Sequence, residues 1–241
     1  MGTLLVAHGT RSEHGVAMIG DLAAAMADRL RETVRVAFVD VLGPTPCEVL
    51  AQYRDEPTVV VPAFLSSGYH VRHDLPREVA ESGHRSVTAT PALGPSPELA
   101  RAMLGRLLEA GWRRGDAVVM AAAGTRDVQA QGQLRRTAAA LSALTGARVS
   151  IAFAAPSQQS EGYPSVPEVV SRLRSDGARS VAVASYLLAE GLFQQRLRDS
   201  GADVVAAPLG LHPSVVRVAC LRRSHAGIAV PRSMSSVEAH P

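Results

Sequence analysis

The sequence predicts an α/β protein built as two similar, doubly wound, mainly parallel-sheet domains related by a pseudo-two-fold axis. Three observations carry that expectation. Short apolar and β-branched runs alternate with stretches of helical periodicity, the pattern of βαβ units. The opening stretch Leu4-Leu5-Val6-Ala7-His8-Gly9-Thr10-Arg11-Ser12 returns, Gly-Thr-Arg included, as Val118-Val119-Met120-Ala121-Ala122-Ala123-Gly124-Thr125-Arg126-Asp127. At nearly the same spacing Leu93-Gly94-Pro95 is echoed by Leu209-Gly210-Leu211, and Phe64 to Leu75 is echoed by Tyr186 to Leu197 with a small insertion in the second copy. Matched punctuation of this kind marks an internal duplication.

The elements follow in order. Leu4 to His8 is a continuous apolar run stopped by Gly9, which reads as a buried parallel strand with His8 at its end. Ser12 is placed to cap the next helix. Val16 to Leu30 carries Ile19, Leu22, Ala23, Met26 and Leu30 at helical spacing. Val34 to Val41 is a second strand with Asp40 near its end, and Pro44 and Pro46 open a short helix. Thr58 to Pro62 is a third strand, followed by a loop from Phe64 to Pro76. A helix covers Pro76 to Ser82, a strand Ser86 to Thr90, and a helix Pro97 to Ala110 with Leu99, Met103, Leu107 and Leu108 on one face. Gly111-Trp112-Arg113-Arg114-Gly115 marks a boundary. The N-terminal domain is expected over residues 1–112 and the C-terminal domain over 116–222. Residues 223–241, Ser-, Pro-, His- and Met-containing without periodicity, read as a disordered tail.

Composition narrows the functional classes. Of 241 residues 46% are hydrophobic and 20% charged, enough apolar surface for a sizeable core. All 25 basic residues are Arg, since the chain contains no Lys, which removes any Walker lysine; no Gly-rich phosphate loop follows a strand. No basic stripe interleaved with aromatics is present, so nucleic acid is not an expected partner. Cys47 and Cys220 make neither a CxxC nor a disulfide framework, as expected in a reducing cytoplasm. No apolar run reaches the roughly 18 residues of a membrane span, and the N-terminus does not read as a signal peptide.

His8, Asp40 and His70 follow strands one, two and three, so all three belong at one carboxyl edge, where open α/β sheets bind ligands. Two imidazoles and a carboxylate suit a borderline divalent metal such as Fe, Co, Ni or Zn, and three protein ligands leave positions open for work. In the second copy His8 aligns with Ala123 and His70 with Phe193. One metal site per chain is therefore expected, in the N-terminal half. His70 and His73 are spaced to share a helical face, but His73 is expected to be solvent-exposed.

Leu5-Val6-Ala7-His8-Gly9-Thr10-Arg11, taken with Phe64-Leu65-Ser66-Ser67-Gly68-Tyr69-His70-Val71, resembles the sirohydrochlorin chelatase (CbiX/SirB) family of class II chelatases, in the long form that fuses two chelatase-like domains. The resemblance implies a cytoplasmic lyase that inserts Fe(II), or alternatively Co(II), into sirohydrochlorin, for sirohaem or a cobalamin precursor. It implies no organic cofactor, the divalent metal being a substrate. The family's catalytic histidines map onto His8 and His70. Its acidic residue, commonly Glu, is here Asp40, which makes His8, His70 and Asp40 the implied metal ligands. Gly9, Thr10, Arg11, Ser66, Ser67, Gly68, Tyr69 and Arg72 are the implied substrate-binding residues. Arg11, Arg72 and Arg126 are candidates to meet the eight substrate carboxylates, since Arg binds carboxylates bidentately. A chain that carries its own second half buries the domain–domain surface internally, so a monomer is expected. A non-catalytic tetrapyrrole or metal carrier is the alternative from another class.

Overall fold

The structure is a computed structural model that describes residues 1–156 and 163–226. Its first half runs β1 (Gly2–Ala7), α1 (Glu13–Leu30), β2 (Val34–Phe38), α2 (Pro46–Gln52), β3 (Thr58–Pro62), a π-helical turn over His70–Asp74 leading directly into α3 (Leu75–Glu81), β4 (Val87–Ala89) and α4 (Pro97–Glu109). The second half repeats the plan as β5 (Ala117–Ala122), α5 (Val128–Thr145), β6 (Val149–Phe153), α6 (Val166–Ser175), β7 (Val181–Tyr186), α7 (Leu192–Arg198), β8 (Val204–Val205) and α8 (Pro213–Ala226).

Two four-stranded sheets result, ordered β2-β1-β3-β4 and β6-β5-β7-β8, and every strand pair is parallel. The central strands β1, β3, β5 and β7 are buried almost throughout, as a sheet covered on both faces requires. Helix starts are specified locally. Ser12 accepts from the Gly15 amide at α1 and Asp127 from the Ala130 amide at α5. The second helix of each half begins with a capping box, Thr45 with Glu48 and Ser165 with Glu168, which satisfies two orphan amides reciprocally. Hydrogen bonding to Ser165 also holds the Glu168 carboxyl below its ordinary range.

The halves exchange their last helices. α4 packs on β7 of the second sheet, and α8 packs on β3 and α1 of the first. Symmetry-related arginines seal the exchange: Arg106 on α4 donates to the Leu209 carbonyl at 3.2 Å, and Arg222 on α8 to the Ala92 and Leu93 carbonyls at 2.9 and 3.3 Å. Tyr186 donates across the halves to the Leu65 carbonyl at 2.8 Å; burial pushes its phenol up, so it stays a neutral donor. One apolar cluster runs through both halves, from Leu5 and Met26 through Trp112 to Leu134 and Val218. Both cysteines are free thiols, and among the described residues no helix is long and apolar enough to cross a membrane.

Several boundaries differ from the sequence reading, for identifiable reasons. β1 stops at Ala7, one residue before His8, and β2 stops at Phe38 instead of Val41. Beyond Phe38 the Val39 amide still bonds Ala7 of β1 and the Asp40 amide bonds His8 just past it, but Val41 adopts φ 72° and turns away. Pro44 precedes the Thr45 cap, leaving only Pro46 inside α2. The loop expected over Phe64–Pro76 is helical from His70. Leu108 is 57% exposed: at 3.6 residues per turn, Leu99, Met103 and Leu107 align while Leu108 sits about 100° round. The tail begins later than expected. Residues 223–226 are the last turn of α8, and Arg223, only 8% exposed, bonds Glu32 at 2.7 Å and Thr3 at 2.5 Å. The remainder of the expected tail, 227–241, lies outside the described residues.

Removing one partner of such a pair leaves the other without its counter-charge. Arg223→Ala is expected to destabilise the chain by about 2 kcal/mol, below the full cost of breaking a buried pair because Glu32 keeps some exposure. The shift in urea midpoint checks it.

Candidate active site

In a sheet of order 2-1-3-4 the chain reverses direction between β1 and β3, and ligands bind outside the carboxyl ends of the strands at that point. His8 leaves β1 there, His70 lies on the π-helical turn after β3, and Asp40 lies just beyond β2. Their ligating atoms fall within 4.8 Å of one another. Among the described residues this is the one group of three or more such side chains close enough to share an ion. The two imidazoles meet edge to face, with ring centroids 4.5 Å apart.

The backbone fixes this convergence. The Asp40 amide donates to the His8 carbonyl at 3.0 Å, extending the β1–β2 ladder past both strand ends. Gly9 makes the approach feasible: it adopts φ 97°, and a Cβ there would overlap the Asp40 carbonyl oxygen. Only glycine combines that dihedral with that contact. Asp40 also accepts from the Val41 amide at 2.7 Å through Oδ1.

The ring nitrogens are assigned by their partners. His8 Nδ1 lies 3.2 Å from the Gly9 carbonyl, and His70 Nδ1 lies 2.6 Å from Asp74 Oδ2. A carbonyl and a carboxylate only accept, so each Nδ1 is the donor and a neutral ring keeps its lone pair on Nε2. Both histidines thus offer the same nitrogen to a metal or a proton. Asp74 is itself steadied by Arg77 at 3.4 Å from Oδ1. The sequence reading missed Asp74; its signal was the i,i+4 spacing from His70, usable only once the loop is known to be helical.

The site opens on a cavity of about 590 Å³ between the halves. His8, Gly9, Thr10 and His70 line one side, and Ala123, Gly124, Ala155 and Phe193 are among those lining the other. A larger cavity of about 760 Å³ lies away from this chemistry, at the amino edge of the second sheet. The shared β-ladder register equates β2 with β6, so Asp40 corresponds to Ala155. Ala155 bonds the Ala123 carbonyl as Asp40 bonds that of His8, and a Cβ on Gly124 would lie 2.6 Å from the Ala155 oxygen. The backbone device is duplicated, while Ala123, Ala155 and Phe193 stand in the second half where the first has His8, Asp40 and His70.

The other sequence-derived candidates divide. Gly9 and Thr10 line the cavity; Arg11 and Arg126 are exposed near it. Arg72 is engaged with Asp127 and Gln129 of the second half, so it acts as a clasp in place of a free cation. Ser67 donates its amide to Gln133 Oε1 at 2.7 Å, and Ser66 lines a smaller neighbouring cavity. Tyr69 is exposed and its ring lies 4.8 Å from that of His73. His73 is exposed, as expected, and lies outside the ligand group.

Paired parallel sheets, with two histidines and a carboxylate close enough to share one ion at a switch point, define a two-domain α/β protein. The chain belongs to the CbiX family, whose model matches it twice, over residues 2–110 and 117–226. It is 34% identical over 79 residues to the sirohydrochlorin cobaltochelatase of Methanothermobacter thermautotrophicus, covering 32% of this chain and 55% of that protein. It is 34% identical over 83 residues to the sirohydrochlorin cobaltochelatase of Methanopyrus kandleri, covering 32% and 57%. The chain thus spans little more than half the length of these curated relatives. SirB from Bacillus subtilis with Fe3+ superposes with a TM-score of 0.79 at 20% identity, covering 93% of this chain and 94% of that one. SirB from Bacillus subtilis subspecies spizizenii in complex with cobalt gives a TM-score of 0.73 at 18% identity, with the same coverage. These likenesses are ones of fold.

A carboxylate that orients a ligating histidine typically governs affinity about 10- to 100-fold. Asp74→Ala is expected to weaken Co(II) binding by about that factor with the fold intact; anaerobic Co(II) titration followed by absorbance, with circular dichroism as the fold control, checks it.

Proposed function

We propose that this chain is a sirohydrochlorin chelatase that inserts a divalent metal, Fe(II), into the macrocycle to form sirohaem. The observation that carries the reading is the His8–Asp40–His70 group facing a wide cleft whose opposite wall repeats its backbone without its ligands. Relatives named as sirohydrochlorin cobaltochelatases, and the SirB structures with Fe3+ and cobalt, support the substrate and metal classes. The same relatives favour Co(II) as the second reading, since two imidazoles and one carboxylate accept either ion.

The chemistry exchanges one M(II) for two pyrrole N–H protons. His8 and His70, presenting Nε2, and Asp40 hold the incoming ion with positions left open toward the ring. As the ring nitrogens replace these ligands, the freed imidazoles and carboxylate are bases within reach of the departing protons. Three side chains therefore deliver the metal and then take up what it displaces. Glu190 on the cavity wall is paired with Arg198 at 2.6 Å, which limits its repulsion toward a polycarboxylate. The protein acts as a monomer in the cytoplasm, its two halves burying their shared surface within one chain.

Loss of a general base typically lowers the rate by about 10² to 10⁴. His8→Ala and His70→Ala are each expected to reduce kcat in that range while leaving sirohydrochlorin affinity, read by absorbance titration, little changed. Anaerobic assays with Fe(II), Co(II) and Ni(II) in turn rank the metals, and Co(II) is expected to saturate near one equivalent. Near-wild-type turnover in both variants would remove these residues from the mechanism and favour a carrier.

A further inference from the structure

Among the described residues, exposed large apolar side chains gather at the cleft. Leu192 is 67% exposed and Phe193 41% exposed, and both line the cavity opposite His8 and His70. Counted on from the strand register, which equates Val60 with Val183, they fall at the positions of Tyr69 and His70. Around them Ala123, Ala155, Leu187 and Leu188 are apolar, and Glu190, the carboxylate on the same wall, is paired with Arg198. Arg196 lies over the Phe193 ring, its guanidinium carbon 5.8 Å from the centroid. An aromatic face with apolar neighbours and a cation at its margin is complementary to a flat ring bordered by carboxylates.

We propose that the second half supplies a platform for the far face of the macrocycle, with Phe193 at its centre, Leu192 at its rim and Arg196 at its carboxylate edge. The inference rests on the sirohydrochlorin reading and adds residues that it does not assign. A ring whose near face meets His8 and His70 must turn its far face to this wall, because the two lie across one cavity. Covering Phe193 and Leu192 removes their apolar surface from water, so the ring gains affinity from a side that contributes nothing to metal binding. The wall also confines metal delivery to the His8 side.

The test separates macrocycle binding from metal binding. Sirohydrochlorin affinity is measured without metal by absorbance titration, and Co(II) affinity is measured without sirohydrochlorin. Phe193→Ala is expected to weaken sirohydrochlorin binding and raise KM about tenfold, with kcat and Co(II) affinity little changed. Phe193→Trp should retain wild-type affinity, Leu192→Ala should show a smaller loss, and Leu108→Ala, exposed on α4, should show none. Wild-type affinity in Phe193→Ala would overturn the platform while leaving the chelatase reading intact. Failure of the wild-type chain to bind sirohydrochlorin would overturn both. Should Phe193→Ala lower the unfolding midpoint, Leu192→Ala decides, and unchanged affinity there overturns the proposal.

Discussion

The site depends on a single close approach of two backbones. The Asp40 amide reaches the His8 carbonyl only because Gly9 has no Cβ and tolerates a positive φ. That bond holds the segments leaving β1 and β2 at the same height above the sheet, which brings an imidazole and a carboxylate side by side. The third side chain, His70, comes from the segment after β3, the other neighbour of β1, so the group gathers one residue from beyond the end of each of three adjacent strands. Parallel pairing makes this geometry inexpensive, since all three strands end at the same edge.

His70 needs more support than His8, because it rides a turn well beyond the end of β3. That support comes from both halves. Asp74 orients the ring from within the first half. Arg72 reaches Asp127 at the start of α5, the Ser67 amide reaches Gln133, and Tyr186 holds the Leu65 carbonyl. The second half therefore braces the segment between β3 and α3 along its length. Exchange of α4 and α8 makes the halves mutually dependent for their cores, so the bracing half cannot swing freely away from the half it braces.

Much of this was legible in the sequence because it is periodic or punctuated. Apolar and β-branched runs pointed to the strands, the repeated Gly-Thr-Arg to the duplication, and strand-end placement to His8, Asp40 and His70. What could not be read depends on three-dimensional partners. Asp74 looks like one acidic residue among many until the turn before it proves helical. Arg72 reads as a free cation until Asp127 is seen beside it. The helix exchange leaves no mark on local periodicity, because an amphipathic face does not say which sheet it covers. Ala155 became the counterpart of Asp40 only through the strand register.

The unequal halves have a physical logic. Backbone features of the second edge persist, Gly124 and the Ala155–Ala123 bond included, because they shape the far wall of the cleft; the side chains there are Ala, Ala and Phe. On the proposed chelatase reading, a cleft with ligands on both faces would offer a metallated ring two axial donors and the free ring none. Such a site would bind product more tightly than substrate and slow its release, a step that limits many enzymes. Ligands on one face avoid that second axial bond. They leave binding energy to contacts that free and metallated rings share, namely the apolar wall and the carboxylate margin. On that reading affinity sits with one half and chemistry with the other, and the duplication gives each its own surface.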